Sequence, residues 1–116
     1  MSEDKNAMQF DWGIEAPFTT ASDYSGKILI FEKAHNKTSM HFHKEKHKTY
    51  FVNAGKFNIR YIDVKTAAVY DVEVEEGNTY EVVPLQPVQI IALADNSALM
   101  EISNSTDNDD IYHVGF

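Results

Sequence analysis

Residues 56–64 read Lys-Phe-Asn-Ile-Arg-Tyr-Ile-Asp-Val, and in them Phe57, Ile59, Tyr61 and Asp63 alternate with Asn58, Arg60, Ile62 and Val64. Successive side chains of a strand point to opposite faces, so this period of two is what a half-buried β-strand requires. Similar β-rich runs lie on either side from Gly26 onward: 27–33, 39–43, 49–53, 67–74, 79–83, 88–94 and 98–103. The segments between them carry turn residues: His35-Asn36-Lys37, Ala54-Gly55, Glu76-Gly77-Asn78, Pro84 to Pro87, and Asp95-Asn96. Roughly eight strands at about 8 to 12 residue spacing, with no 3.6-residue period, predict an all-β, antiparallel sandwich or barrel.

Residues 1–25 contain Gly13, Pro17 and two polar stretches, and read as an N-terminal arm that lies over the domain or frays from it. Trp12 is expected to pack this arm against a β-domain spanning 26–116. Near the other end, the polar stretch 103–110 precedes the short run 111–116, and its three aspartates are expected to form a solvated turn.

The 116 residues, 43% hydrophobic and 24% charged, suit one domain with one core. The absence of cysteine excludes a disulfide scaffold, a thiolate nucleophile, a Cys-ligated zinc site and an iron–sulfur cluster. Eighteen acidic against ten basic residues leave a formal charge of -8, which repels phosphate backbones and anionic membranes, so no nucleic-acid or membrane partner is expected. No run approaches about 18 apolar residues, and the acidic, polar start is unlike a signal peptide. The expectation is a cytoplasmic protein.

Chemistry concentrates in Ser39 to Lys48. His41 and His43, two apart in a strand-like context, project from one face. Two imidazoles there make half of a metal site, or an acid/base pair near neutral pH. His47 can simply belong to a solvated turn with Lys44, Glu45 and Lys46. Arg60, the sole arginine, would hold a carboxylate or phosphate bidentately if it faced a mouth, and would otherwise form a rim salt bridge. Tyr50, Val52, Phe57, Ile59, Ile90 and Leu99 read as core, although a tyrosine hydroxyl such as that of Tyr50 can reach a pocket. His35 and His113 read as surface or terminal residues.

The segment from Ser39 to Gly55 resembles the first motif of the cupin superfamily, a strand with His-x-His, then a Glu, then a closing glycine. His41 and His43 stand at the histidines, Lys48 at the Glu and Gly55 at the glycine. Residues 75–93 resemble the second motif, with Gly77 and Pro84 in place, Gln86 at its glycine and Gln89 at its histidine. Trp12-Gly13, Gly26 to Leu29, Ser39, His41, His43 and the stretch 104–114 are similar to small cupins of the mannose-6-phosphate isomerase C-terminal type. The resemblance implies a jelly-roll barrel (a double-stranded β-helix) and a site where two histidines, a carboxylate and a third histidine hold Fe, Mn, Ni or Zn.

Two of those four positions differ here. Lys48 offers no lone pair when protonated, and Gln89 offers only a neutral amide oxygen. A β-bulge could turn His47 inward, giving His41, His43, His47 and Gln89 as ligands. Alternatively, His47 stays outside while Lys48 enters the mouth and pairs with Glu81 or another carboxylate. The implied function is a sugar or sugar-phosphate site with isomerase-like chemistry. His41, His43 and Lys48 would be catalytic, Arg60, Gln89 and Tyr50 would bind substrate, and one divalent metal would polarise a carbonyl or the histidines would act alone. The other reading is a non-catalytic binding or assembly module with a decayed metal site. In both, the partners are a small-molecule ligand and a second copy, the homodimer pairing strands across subunits.

Overall fold

The computed structural model describes residues 7–104 and 109–115. Eleven strands form among them: β1 (Met8–Phe10), β2 (Gly13–Thr20), β3 (Tyr24–Phe31), β4 (His41–Phe42), β5 (Lys48–Ala54), β6 (Lys56–Ile62), β7 (Val69–Glu75), β8 (Thr79–Val82), β9 (Val88–Ala92), β10 (Ser97–Asn104) and β11 (Tyr112–His113). The described residues include no helix, hence none long and apolar enough to cross a membrane.

Alternation decides which residues meet. In β10, Ser97, Leu99, Glu101 and Ser103 are buried while Ala98, Met100, Ile102 and Asn104 are less so, and in β5 Lys48, Tyr50 and Val52 turn inward. Phe57 and Ile59 of β6 do the same, as the period in 56–64 requires. Six strands pair in the order β1-β2-β3-β10-β5-β8 and five in the order β11-β4-β9-β6-β7. The pairings are antiparallel. Leu29, Phe31, Tyr50, Val52 and Leu99 of the first sheet face Phe57, Ile59, Val88, Ile90 and Ala92 of the second across one core. The jelly roll is therefore two facing sheets, not closed into a continuous barrel.

The sheet begins well before Gly26. Residues 8–20, expected as an arm, are β1 and β2, and β2 pairs along β3. Pro17 is tolerated because it sits where the β2–β3 register shifts and beyond the stretch that β1 covers. Gly13 is needed because its φ is +151° and a Cβ there would come within 1.9 Å of the Ile30 carbonyl oxygen. Residues 1–6 of the expected arm lie outside the described residues. Trp12 stacks on core Phe31, with ring centroids 4.6 Å apart.

Gly55 closes the β5–β6 turn at φ +77°, and a Cβ there would lie 2.1 Å from Ser97 Oγ and 2.8 Å from its Cα. Gly55→Ala is expected to lower unfolding free energy by about 2–4 kcal/mol, from left-handed strain plus displacement of Ser97. Urea titration measures it, and a loss under about 1 kcal/mol would mean the turn re-forms freely.

Candidate functional site

A cavity of about 630 Å³ lies between the sheets, within the size range of small-molecule sites. His41 comes from β4, paired with His113 of β11 on one side and Val88 of β9 on the other. His43 follows it, and the two rings meet nearly edge-on with centroids 5.4 Å apart. Lys48 and Tyr50 come from β5, Lys27 from β3, Glu101 from β10 and Glu15 from β2.

Each imidazole is fixed by a backbone carbonyl. His41 Nδ1–H donates to the Ser39 carbonyl at 2.9 Å, and His43 Nδ1–H donates to the Asp110 carbonyl. A carbonyl can only accept, so Nε2 carries the lone pair in both rings. Lys48 Nζ donates to His43 Nε2 at 3.4 Å. Burial, then the Lys48 charge, hold His41 at a pKa of about 3 and His43 at about 4. Both are neutral throughout the physiological range.

Lys48 is 2% exposed, and burial pushes its pKa down while Glu101 opposes the shift. Burial would raise the pKa of Glu101, but Lys48 and Lys27 outweigh it and bring the carboxyl to about 2. The charges form a chain across the inner face: Glu15 to Lys27 at 3.0 Å, Lys27 to Glu101 at 3.6 Å, Glu101 to Lys48 at 3.7 Å. Lys48 Nζ also sits 5.2 Å from the centre of the Tyr50 ring.

Four residues singled out from the sequence, His41, His43, Lys48 and Tyr50, thus share one cavity. Three others stand elsewhere. His47, proposed as an inward metal ligand, is exposed on the outer face and bonds Glu81 Oε2 through Nε2 at 2.6 Å. No bulge turns it inward, because Lys48 takes the inward position of β5. Gln89, proposed as ligand and substrate contact, faces away from the cavity. Val88 is the β9 residue opposite His41, and one residue along a strand reverses the face. Gln89 Nε2 instead donates to the Thr38 carbonyl at 2.9 Å. Arg60, proposed to bind substrate, pairs beside Gln89 on that outer face and grips Asp71, Nε to Oδ1 at 2.8 Å.

Sequence reasoning missed Glu101, Lys27 and Glu15, although Glu101 sits two residues from core Leu99 and therefore on its face. It also missed Asp110, read as part of a solvated turn. The Asp110 carboxylate accepts from the Lys44 and Glu45 amides at 2.7 and 3.1 Å while its carbonyl holds His43. His113, read as a surface or terminal residue, is exposed but lines the cavity.

The resemblance implies a metal, and the donor set does not fit one. Among the described residues no three His, Asp or Glu side chains are grouped so that they could hold a metal ion. At the position of the ligand carboxylate there is an ammonium 3.4 Å from an imidazole nitrogen, and at the position of the third histidine there is Gln89, which bonds the Thr38 carbonyl and is not among the residues lining the cavity. A dication there would meet like-charge repulsion and two donors only.

No protein-family model matches the chain, and no curated protein does. Solved structures do. CapF bound to the inhibitor 3-isopropenyl-tropolone superposes with a TM-score of 0.82 at 20% identity, over 95% of this chain and 34% of that one. The capsular polysaccharide assembling protein CapF of Staphylococcus aureus gives 0.81 at 19% over 95% and 32%. Oxalate decarboxylase of Bacillus subtilis gives 0.82 at 12% over 98% and 31%. These are cupin-fold proteins. The chain has the cupin fold. It spans about a third of those chains' length, so the likeness carries the fold alone.

The neutral histidines give a pH prediction. Their folded pKa values, about 3 and about 4, lie below the ordinary value of 6.5, so the unfolded chain takes up protons first as pH falls. Stability is expected to decrease as pH drops from 6.5 toward 4, with the imidazole NMR signals of His41 and His43 unchanged above pH 5. Titration of either ring near 6.5 would contradict the burial described here.

Proposed function

We propose that this cupin domain binds a small, hydroxyl-rich ligand, a sugar or sugar phosphate, in the cavity between its sheets and without a metal ion. One observation carries the reading: two buried imidazoles, each fixed with Nε2 as acceptor, stand beside an ammonium that donates. A ligand hydroxyl would donate to His41 Nε2, and a ligand carbonyl or anionic oxygen that takes a Lys48 proton would free His43 Nε2, which accepts from Lys48 here, for a second hydroxyl. The likeness to mannose-6-phosphate isomerase-type cupins supports the sugar class, as does a CapF neighbour named for capsular polysaccharide assembly.

Calorimetric titration with mannose 6-phosphate and related hexose phosphates tests it. Binding should persist in excess chelator, and His41→Ala with His43→Ala should weaken it by at least tenfold, since two buried partners of about 1–3 kcal/mol are lost. Unchanged affinity in the double variant, or binding abolished by chelator, would overturn the reading.

A second reading, sugar isomerisation, is favoured by the 3.4 Å approach of Lys48 Nζ to His43 Nε2, across which a proton can pass. An imidazole held near pKa 4 is a weak base, so turnover would need an anionic ligand to raise it on binding. Without turnover, the same pocket serves a binding or assembly module. In either case a homodimer would pair strands at an open sheet edge, such as β8, and light scattering gives its mass.

A further inference from the structure

The cavity has one wall that the polar chemistry does not use. Strand β1, at the edge of the six-stranded sheet, turns Met8 and Phe10 to the cavity while they remain 53% and 40% exposed. The position of Phe10 is set from the core outward. Phe31, fully buried, stacks on Trp12 at 4.6 Å, and Trp12 stacks on Phe10 at 5.2 Å with planes 4° apart. The stack thus runs from Phe31 through Trp12 to Phe10, and among the described residues Phe10 meets no further ring. A preformed apolar platform therefore shares a cavity with the acceptors His41 and His43 and the donor Lys48.

Resting on the ligand class proposed above, we infer that Phe10 is the platform on which the ligand ring stacks. The pocket then selects a closed pyranose ring, with C–H groups on one face and hydroxyls around its edge, over an open-chain polyol bearing the same groups. A pyranose face matches an aromatic ring in size and loses water on both surfaces when they meet, whereas a flexible polyol offers no flat face and must be ordered on binding.

Calorimetry with mannose 6-phosphate and mannitol 6-phosphate separates the two, because they differ in ring closure and not in phosphate. The wild-type chain should prefer the ring. Phe10→Ala should weaken mannose 6-phosphate by about three- to tenfold and leave mannitol 6-phosphate nearly unchanged, with Phe10→Tyr restoring the preference. Phe10 is an exposed edge residue, so the variants should fold, and circular dichroism verifies that they do. Equal affinities for the two probes, or a ring preference that survives Phe10→Ala, would overturn the inference while leaving the polar pocket in place. A fall in oligomeric mass on Phe10→Ala with the preference intact would assign the platform to a contact between copies and equally overturn it. If neither probe binds wild type, the sugar reading falls and takes the platform with it.

Discussion

Lys48→Glu combined with Val88→His is expected to create a site for one equivalent of Zn(II) or Ni(II), with affinity at least about a thousandfold above that of the wild-type chain. His41 and Val88 are cross-strand neighbours on the inward face, where opposed Cβ atoms lie about 4.5–5.5 Å apart. An imidazole at 88 would therefore stand beside His41 on the same face. Exchanging the Lys48 ammonium for a carboxylate removes the repulsion and supplies an anionic ligand at once. The control is Lys48→Glu with Gln89→His, the pair that motif alignment alone would choose. It should gain far less, because position 89 faces the side of β9 that carries the Arg60–Asp71 pair. Elemental analysis after dialysis against each ion reads the result, and tighter binding by the Gln89→His pair would refute the register of β9.

That contrast marks where the sequence was legible. The run 56–64 displayed its period openly, because one face of the strand is buried and the other more solvated, and β6 follows it. His41 and His43 could be placed on one face for the same reason, and Lys48 follows five residues later on an inward position of β5. The position opposite His41 could not. Residues 88–93 are apolar except Gln89, so nothing in Val-Gln-Ile-Ile-Ala-Leu says which parity faces inward, and a slip of one residue exchanges Val88 for Gln89. Glu101 was hidden for a different reason. A lone carboxylate within an apolar strand reads as solvent-facing, and only the folded register brings Lys27 and Lys48 to it. The β1–β2 strands were masked by Gly13 and Pro17, turn residues by reputation that β2 accommodates at its junction with β1 and, beyond the stretch β1 covers, at its register shift against β3.

The charge chain itself supplies the second large effect. Glu101→Gln is expected to lower unfolding free energy by roughly 3–5 kcal/mol at neutral pH, whereas Lys48→Met should lose about 1 kcal/mol or less. The asymmetry comes from who is left behind. Without the carboxylate, Lys27 keeps Glu15 at 3.0 Å, but Lys48, 2% exposed, has no other acidic partner among the described ion pairs. Without Lys48, Glu101 still has Lys27 at 3.6 Å, and a methionine fills the lysine's apolar path. Burial already depresses the Lys48 pKa, and losing Glu101 depresses it further. The folded chain then gives up the Lys48 proton at a pH where the unfolded chain still holds it, so the deficit of Glu101→Gln should shrink as pH rises toward about 10.4, the ordinary lysine value. Lys48→Met should show no such trend. Combining the two substitutions removes the stranded charge and should recover most of the loss, which a double-mutant cycle in urea measures directly. If the double variant is as unstable as Glu101→Gln alone, the buried ammonium is not the cause. The loss would then belong to Tyr50, whose hydroxyl Glu101 also contacts, or to Lys27.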